Sequence, residues 1–273
     1  MNGNGPVIIT AAGASRRMGG IKKEYCPLPV SAGQGDEKPL TVLGAVVKAF
    51  ASSTRIGLII ITIPEGGENE ARSALPPNLE TGKKLLFATG GPTSRSSVHN
   101  ALSLLKKYHP SWVLIHDGAR PWITTDLIEK IIDAVLLYGA AIPLLPLLET
   151  PKEFNSWRGI HTPLQGGGTD SRREIHTPSL QGGDADFSAP GGTGFITRHL
   201  KRTNVGIAQT PQGFSFPGIL KAHEKAAERE LKEKIDYTDD AEVWGEFIGP
   251  VAVIPGETAN RKITFPEDLE FHA

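Results

Sequence analysis

Residues 7–19 read VIITAAGASRRMG, a short apolar run that passes directly into a loop of small and basic residues. Val7-Ile8-Ile9 is typical of a buried strand, and the small residues after it let backbone N–H groups cradle a phosphate chain. Arg16-Arg17 and then Lys22-Lys23 supply positive charge for such a ligand. The stretch has neither the Gly-Lys-Ser/Thr of a P-loop nor the GxGxxG pattern. It predicts a strand that ends in a phosphate-binding loop; a flexible glycine-rich turn with solvated basic groups is the alternative.

Beyond this loop, short β-branched runs alternate with segments of helical periodicity, which is typical of βαβ units. Strands are predicted at 7–9, 57–63, 85–88, 112–115, 140–145 and 251–254. Helices are predicted around 42–50, 98–105, 128–135 and 219–231, with a short one after residues 238–240. The predicted fold class is α/β, a mostly parallel sheet with helices on both faces. Such sheets bind ligands beyond the carboxyl ends of their strands.

Finer features of the helices are predicted from single residues. Asp126 with Glu129 predicts one helix start, and Thr264 with Glu267 predicts a capping box for the final helix. His223 shares the apolar face of the 219–231 helix and is predicted to be a packing residue with satisfied hydrogen bonds.

The composition is that of an ordinary globular protein. The 273 residues carry 29 Lys and Arg against 30 Asp and Glu, without the basic excess of a general nucleic-acid binder. Cys26 is the single cysteine, which excludes an intrachain disulfide and agrees with a reducing compartment. The sequence shows no signal-peptide start and no apolar run near the roughly 20 residues that span a bilayer. We therefore expect a cytoplasmic protein that binds neither nucleic acid nor membrane.

The alternating pattern breaks after Leu148. Residues 151–194 are rich in Gly, Pro, Thr and Ser, and hold a degenerate repeat, IHTPLQGG at 160–167 and IHTPSLQGG at 175–183. Two copies are too few for a solenoid, and the stretch is interpreted as an exposed loop or extended arm. Its two histidines have no cysteine or carboxylate at a spacing that supports a metal site.

Three further segments carry residues suited to a phosphate ligand. HDGARP at 116–121 closes an apolar strand, and Asp117 is placed to hold Mg²⁺, which takes one or two protein carboxylates. Alternatively, Asp117 begins a turn and pairs with Arg120. GGPTSRSSV at 90–98 runs into a helix N-terminus, a weak signal because many such turns only cap helices. NRKITFPEDL at 260–269 holds Lys262, by itself typical of solvated surface.

Together these segments closely resemble the 2-C-methyl-D-erythritol 4-phosphate cytidylyltransferases of the non-mevalonate isoprenoid pathway. The motifs, in the family's order, are AAGxxxRM at 11–18 with Lys-x-Tyr at 23–25, HDxARP at 116–121, QTPQGF at 209–214, TDD at 238–240 and NxKITxPEDL at 260–269. The likeness covers Val7 to Leu148 and Thr203 to Leu269.

The resemblance implies a Rossmann-like nucleotidyltransferase domain at 1–148 and 203–273. It also implies a projecting β-arm at 149–202 that makes a homodimer, with a flexible insertion near 155–194. The implied reaction transfers CMP from CTP to a sugar-alcohol phosphate and releases pyrophosphate, with Mg²⁺ or another divalent cation.

Carried over by position, the resemblance assigns four roles. The nucleotide would be held by Ala11, Ala12, Gly13, Gly91 and Ser97. The catalytic contacts to phosphate would be Arg17, Lys23 and Lys262, and the metal would be held by Asp117. The acceptor would be contacted by Arg120, Thr150, Arg202 and Thr210, some of them across the dimer.

The sequence departs from the family's pattern in three places, one of which is Glu149, which precedes Thr150 where the family often has aspartate. Ser94 stands where the family has an arginine and Arg95 follows it, which leaves the role of Arg95 open. The stretch between Thr150 and Arg202 is longer than the family's arm.

Two other functions stay open at this point. A ribitol 5-phosphate cytidylyltransferase shares the fold and most of the motifs, and a nucleotide-binding regulator without catalysis could share the fold. For a transferase, the attacking phosphate monoester is already an anion near neutral pH, so we expect no general base. His116 is then expected to orient its turn.

Overall fold

The computed structural model describes residues 4–29, 39–76, 82–157 and 193–271. Two compact units make up the chain, one from Met1–Leu145 with Ile207–Ala273 and the other from Pro146–Gly206. Both copies of the predicted repeat, and most of the predicted insertion, lie outside the described residues. Among the helices that the structure describes, none has the length and apolar character needed to cross a membrane.

The first unit is built on an eight-stranded sheet. The structure describes ten strands, of which β6 and β7 form a separate pair in the second unit; in chain order they are β1 Gly5–Thr10, β2 Ile56–Ile63, β3 Lys84–Thr89, β4 Trp112–Asp117, β5 Ala140–Pro146, β6 Lys152–Trp157, β7 Thr193–His199, β8 Gly206–Ala208, β9 Gln212–Ser215 and β10 Ala252–Pro255. The sheet runs β10-β5-β9-β4-β1-β2-β3, and β8 pairs with β5. Along the path from β10 to β3, neighbouring strands are parallel except β9, which is antiparallel to both β4 and β5. The predicted mostly parallel α/β sheet is confirmed.

Helices cover both faces of this sheet. They are α1 Val42–Ser52, α2 Glu68–Ser73, α3 Ser94–Leu105, α4 Thr125–Tyr138, α5 Phe216–Glu233 and α6 Asp240–Phe247. Val7 and Ile9 belong to a core cluster with residues of α1 and α4, whereas Ile8 belongs to one with residues of α3, α5 and α6. Because strand side chains alternate between faces, a strand buried on both faces reads as a continuous apolar run.

Strand β9 is not predicted from the sequence because it is short and carries few apolar residues. Gly213 in β9 lies under α4, where a Cβ atom would overlap side-chain carbons of Ile131, Val135 and Leu114. Only glycine lets the helix approach this closely without a shift in packing. The insertion of β9 between β4 and β5 brings residues 209–212 next to the end of β4.

Threonine side chains start three of the helices. Thr41, Thr93 and Thr124 each accept a hydrogen bond from a backbone N–H three residues on, which satisfies an otherwise unpaired donor. The prediction that Asp126 and Glu129 start α4 is therefore wrong in detail, because Thr124 is the cap. Glu129 instead accepts a hydrogen bond from Ser53 Oγ at 2.6 Å.

The predicted capping box of Thr264 with Glu267 is also wrong. The carboxylate of Asp268, not Glu267, accepts hydrogen bonds from the backbone N–H groups of Thr264 and Phe265, at 2.7 and 2.9 Å. The helix that follows, Pro266–Glu270, is a 3-10 helix, which is wound more tightly than an α-helix. Its first turn places Asp268, and not Glu267, next to the N–H groups of Thr264 and Phe265.

The second unit holds an antiparallel pair of strands. Residues of β6 pair with β7 from Lys152 with His199 to Trp157 with Thr193. A short 3-10 helix, Arg202–Asn204, follows, and Arg202 Nη1 donates to the carbonyl oxygen of Leu148 at 2.6 Å. A β-ribbon is thus present in the region where the sequence predicts an arm.

Candidate active site

A cavity of about 670 Å³ opens at the carboxyl ends of β1, β2 and β4. This size falls within the range of small-molecule sites. Sheet register explains its position, since Thr10 pairs with Thr62 on one side and with Asp117 on the other. The cavity is lined by Thr10, Ala12, Gly13, Ala14, Ser15, Arg17, Met18, Lys23, Glu24, Thr62, Gly91, Pro92, Thr93, Ser94, Ser97, Asp117, Lys262 and Thr264.

The loop after β1 forms one wall of the cavity. Ala11 is buried, and its N–H donates to Thr62, at 3.1 Å to Oγ1 and 3.2 Å to the carbonyl oxygen. Ser15 has a left-handed backbone with φ 48°, and its carbonyl oxygen accepts from Met18 N–H at 2.9 Å. A Cβ atom on Gly90 would overlap the methyl group of Ala12. The glycine therefore lets the two cavity walls meet closely at this point.

One lysine closes this loop on itself, and the next connects it to the C-terminal segment. Lys22 Nζ donates to Gly13 O at 2.5 Å, and Lys23 Nζ donates to Ile263 O at 2.8 Å. Burial lowers the pKa of Lys23, and the nearby carboxylate of Asp117 opposes this effect. Arg17 is exposed and lies over the ring of Phe265, 5.8 Å from its centroid. Positive charge thus faces the cavity from the first loop and beside the C-terminal segment.

Asp117 ends β4 and makes two polar contacts. Its Oδ2 lies 2.5 Å from Lys262 Nζ, and its Oδ1 accepts from Ala119 N–H at 3.0 Å. Burial raises the pKa of Asp117, but the charge and hydrogen bond of Lys262, with the Ala119 N–H, outweigh it, so the pKa lies below its usual range. The carboxylate is ionised and faces a cation. Its closest cation is Lys262, not Arg120, whose Nη1 donates to Asn260 O at 2.8 Å.

His116 and Thr210 hold the turn that carries Asp117. His116 is fully buried, and its Nε2 lies 3.2 Å from Arg120 O, which can only accept, so this nitrogen carries the proton. Nδ1 of the neutral ring then accepts from the Thr210 hydroxyl at 3.0 Å. Thr210 Oγ1 in turn accepts from Asp117 N–H at 3.0 Å. Burial lowers the pKa of His116 to about 4, which keeps the ring neutral and this chain of bonds intact.

The wall opposite the first loop is the N-terminus of α3. Gly91 N–H donates to Ser97 Oγ at 3.0 Å, and the Ser97 hydroxyl donates to Thr93 O at 2.9 Å. Ser94 lines the cavity, whereas Arg95 points to α5 and pairs with Glu230, Nε to Oε1, at 2.7 Å. Arg95 is buried, so its charge is used inside the protein and not in the cavity. The structure thus answers the question that the sequence left open for Arg95.

His223, on α5, is buried as the sequence predicts, and its Nε2 lies 2.9 Å from Asp240 Oδ1. Its Nδ1 has no hydrogen-bond partner among the described residues, so the prediction of full satisfaction is wrong for that atom. The ring stacks on His99 with centroids 6.2 Å apart.

The donor set of the cavity suits a hard cation that also binds phosphate. No cluster of three or more His, Cys, Asp or Glu side chains able to hold a metal occurs in the described part of the chain. Mg²⁺ does not need such a cluster, because it binds one or two carboxylates and completes its shell with water and substrate phosphates. Asp117 supplies one ionised carboxylate at the cavity, which fits that mode.

Most of the residues assigned from the sequence meet in this cavity. Those that line it are Ala12, Gly13, Arg17, Lys23, Gly91, Ser97, Asp117 and Lys262. Ala11 is buried and is not among the lining residues. Arg120 and Thr210 contact the turn that holds Asp117, and Thr150 and Arg202 are exposed on the second unit.

Sequence reasoning missed several lining residues, among them Thr62 and Glu24. Thr62 is the penultimate residue of β2, an apolar strand, and only its pairing with the end of β1 indicates that it lies at the site. Glu24 lies between the lysine and the tyrosine of the Lys-x-Tyr motif, in the position that the motif leaves unspecified.

The chain matches the family "IspD: 2-C-methyl-D-erythritol 4-phosphate cytidylyltransferase" over residues 6–166 and 188–272. It is 30% identical over 264 residues to the 2-C-methyl-D-erythritol 4-phosphate cytidylyltransferase of Pelotomaculum thermopropionicum, covering 96% of this chain and 90% of that one. It is 32% identical over 231 residues to the "Bifunctional enzyme IspD/IspF" of Brucella abortus. That match covers 84% of this chain and 48% of the bifunctional protein, so the chain spans about half the length of such relatives.

Solved structures give the same result for the fold. The crystal structure of the 2-C-methyl-D-erythritol 4-phosphate cytidylyltransferase of Francisella tularensis superposes with a TM-score of 0.67 at 25% identity, over 98% of this chain and 97% of that one.

Proposed function

This chain belongs to the 2-C-methyl-D-erythritol 4-phosphate cytidylyltransferase family, and from that premise we propose that it transfers CMP from CTP to 2-C-methyl-D-erythritol 4-phosphate. Pyrophosphate is the second product. One observation carries the proposal: Arg17, Lys23 and Lys262 line a single cavity together with Asp117. Residues from three distant parts of the chain thus supply the charges that a reaction between two phosphorylated substrates needs.

In the proposed reaction, an oxygen of the phosphate monoester attacks the α-phosphorus of CTP. The new bond joins that oxygen to phosphorus, and the bond to the β-phosphate oxygen breaks as pyrophosphate leaves. The attacking oxygen is already ionised near neutral pH, so no side chain has to remove a proton. His116 agrees with this, because its ring is buried and already bonded at both nitrogens.

The main obstacle is repulsion between the two anions. Each pair of unit charges at about 4 Å and an effective dielectric near 20 contributes roughly 4 kcal/mol. Cations held in place before the substrates arrive offset this repulsion without reorganisation during the reaction. Lys23 is held by Ile263 O, and Lys262 pairs with Asp117 in the structure, so both ammonium groups are already at the cavity.

We propose Asp117 as the protein ligand of a divalent cation, Mg²⁺ or another. When bound, such an ion neutralises phosphate charge and polarises the phosphoryl group. Lys262 shares the carboxylate in the structure, and its long side chain can turn to a phosphate oxygen while Asp117 holds the ion.

The acceptor contacts, assembly and location follow from the family as further proposals. We propose all four residues that the family's pattern assigns as contacts to the acceptor, some of them across the dimer: Arg120 and Thr210, which lie next to Asp117, and Thr150 and Arg202, which are exposed on the second unit. The ribbon of β6 and β7 exposes Phe195 and Ile196, which supports a homodimer built through this unit.

The single cysteine supports a cytoplasmic location.

The deciding experiment incubates the protein with CTP, Mg²⁺ and one acceptor at a time, and measures pyrophosphate. We expect release with 2-C-methyl-D-erythritol 4-phosphate and at most a trace with ribitol 5-phosphate. Preference for ribitol 5-phosphate would change the assigned acceptor. Absence of pyrophosphate with either acceptor, in protein that still binds CTP, would favour the non-catalytic regulator.

A further inference from the structure

Glu24 is an unexpected residue in a site for phosphates. Of the described residues that line the cavity, only Glu24 and Asp117 are acidic. The proposed function gives Asp117 a metal ion to hold, but it gives no task to Glu24. The Glu24 side chain is only 4% exposed, so its negative charge is not dispersed by solvent. A buried carboxylate beside a triphosphate site repels the phosphates. Its presence there therefore requires a second effect that favours ligand binding.

The contacts of Glu24 connect both ends of the loop after β1. Ser15 Oγ donates to Glu24 Oε2 at 3.3 Å, and Lys22 Nζ lies 3.6 Å from the same oxygen. Lys22 Nζ also donates to Gly13 O at 2.5 Å. One carboxylate oxygen therefore contacts the residue where the loop turns and the lysine that closes the loop onto Gly13.

Ser15 is the residue of this loop that most needs support. Its φ of 48° lies in the left-handed region, which side chains with a Cβ atom rarely adopt. Its carbonyl oxygen accepts from Met18 N–H at 2.9 Å, and its Oγ accepts from Lys23 N–H at 3.4 Å. The hydrogen bond to Glu24 orients the Ser15 hydroxyl. The backbone conformation from Met18 to Lys23 therefore depends on this hydrogen bond.

We propose that Glu24 is a positioning residue that holds the loop of residues 13–22 in its phosphate-accepting shape. This inference rests on the proposed function only in naming the phosphates of CTP as the ligand of the loop. Glu24 touches no phosphate; it acts through Ser15 and Lys22. The repulsion between its negative charge and the phosphates is offset by a loop whose N–H groups and cations are already in place.

The two possible effects of Glu24 have opposite signs, which makes the proposal testable. If its charge only repels CTP, removing that charge tightens binding. If Glu24 positions the loop, removing the side chain weakens binding. Calorimetric titration with CTP and Mg²⁺ on Glu24→Ala, Glu24→Gln and Ser15→Ala measures this sign directly.

We expect Glu24→Ala to raise the dissociation constant of CTP about tenfold or more, as for the loss of a hydrogen bond to a charged group. Glu24→Gln keeps an acceptor for Ser15 and should recover part of the affinity. KM for CTP should rise with the dissociation constant, while kcat changes less than about threefold. Ser15→Ala and Glu24→Ala remove the same hydrogen bond, the one between their side chains. The double variant should therefore weaken CTP binding by less than the sum of the two single effects.

Hydrogen exchange of the ligand-free protein tests the loop without CTP. Glu24→Ala should speed exchange in the peptide that contains the amides of Met18 and Lys23. Glu68→Gln is the matched control, because Glu68 is an exposed acid paired with Arg72 on α2. Equal or tighter CTP binding by Glu24→Ala, or unchanged exchange of this peptide, overturns the inference. A parent protein that does not bind CTP would refute the proposed function instead, and the exchange result would still decide the role of Glu24.

Discussion

Acidification from pH 7 to pH 5 should destabilise the protein through one buried side chain, His116. Burial lowers the pKa of His116 to about 4 from the ordinary value of 6.5. A group whose pKa is lowered on folding binds fewer protons in the native state than in the unfolded state. The native state therefore loses stability as pH falls through the window between 6.5 and about 4.

The size of the effect follows from these two pKa values. At pH 5 the unfolded ring is almost fully protonated and the native ring is about nine-tenths neutral, whereas at pH 7 both are mostly neutral. The difference in free energy of unfolding between the two pH values is about 2 kcal/mol. A chain of this length has a stability of only about 5 to 15 kcal/mol, so the loss is measurable.

The assay is urea unfolding at pH 7 and pH 5 of the parent and of His116→Gln. The parent should lose about 2 kcal/mol more than the variant, because glutamine does not titrate in this range. His109→Asn is the control: His109 is exposed in a left-handed turn that asparagine also adopts, so its pH dependence should match that of the parent.

Nuclear magnetic resonance of the ring follows the same titration directly and does not depend on the variant's folding. Equal losses in the parent and in His116→Gln, or a ring that protonates near pH 6.5, would refute the reasoning. Either result would mean that the bonds to Arg120 and Thr210 do not hold a neutral ring.

Three further predictions concern the cavity and its support. Lys23→Ala and Asp117→Asn should each lower turnover in pyrophosphate release at least about a hundredfold while the protein still folds, and a near-normal rate in folded Lys23→Ala would contradict its role. Gly90→Ala should lower kcat/KM for CTP about a hundredfold, because the new methyl group overlaps Ala12 and displaces the first loop. Gly245→Ala, with open space around it, is the control, and equal rates in the two variants would contradict the close approach. Glu230→Ala should lower the free energy of unfolding in urea by roughly 3 kcal/mol, because it leaves the buried Arg95 charge unpaired. The control Glu224→Ala breaks the exposed pair with Lys106 and should lower it by under about 1 kcal/mol. Similar losses in both would show that burial is not the deciding factor.

The sequence alone determined those features that local patterns encode. The continuous apolar runs of β1 and β2 indicated strands buried on both faces, and their alternation with helical segments indicated a parallel sheet. Small and basic residues after β1 predicted a phosphate-binding loop at the carboxyl end of that strand, and the structure shows this loop lining the cavity there. The roles proposed for Arg17, Lys23, Asp117 and Lys262 came from motifs and not from geometry.

Tertiary structure decided which of these residues meet. Asp117 and Lys262 are 145 positions apart, and no local pattern states that their side chains lie within 2.5 Å. Strand β9 brings Thr210 to His116, and the packing of α3 on α5 turns Arg95 away from the cavity. The physical reason is that periodicity reports which face of an element is apolar, whereas pairing of polar groups depends on strand order and on burial. Both are properties of the assembled sheet and its helices.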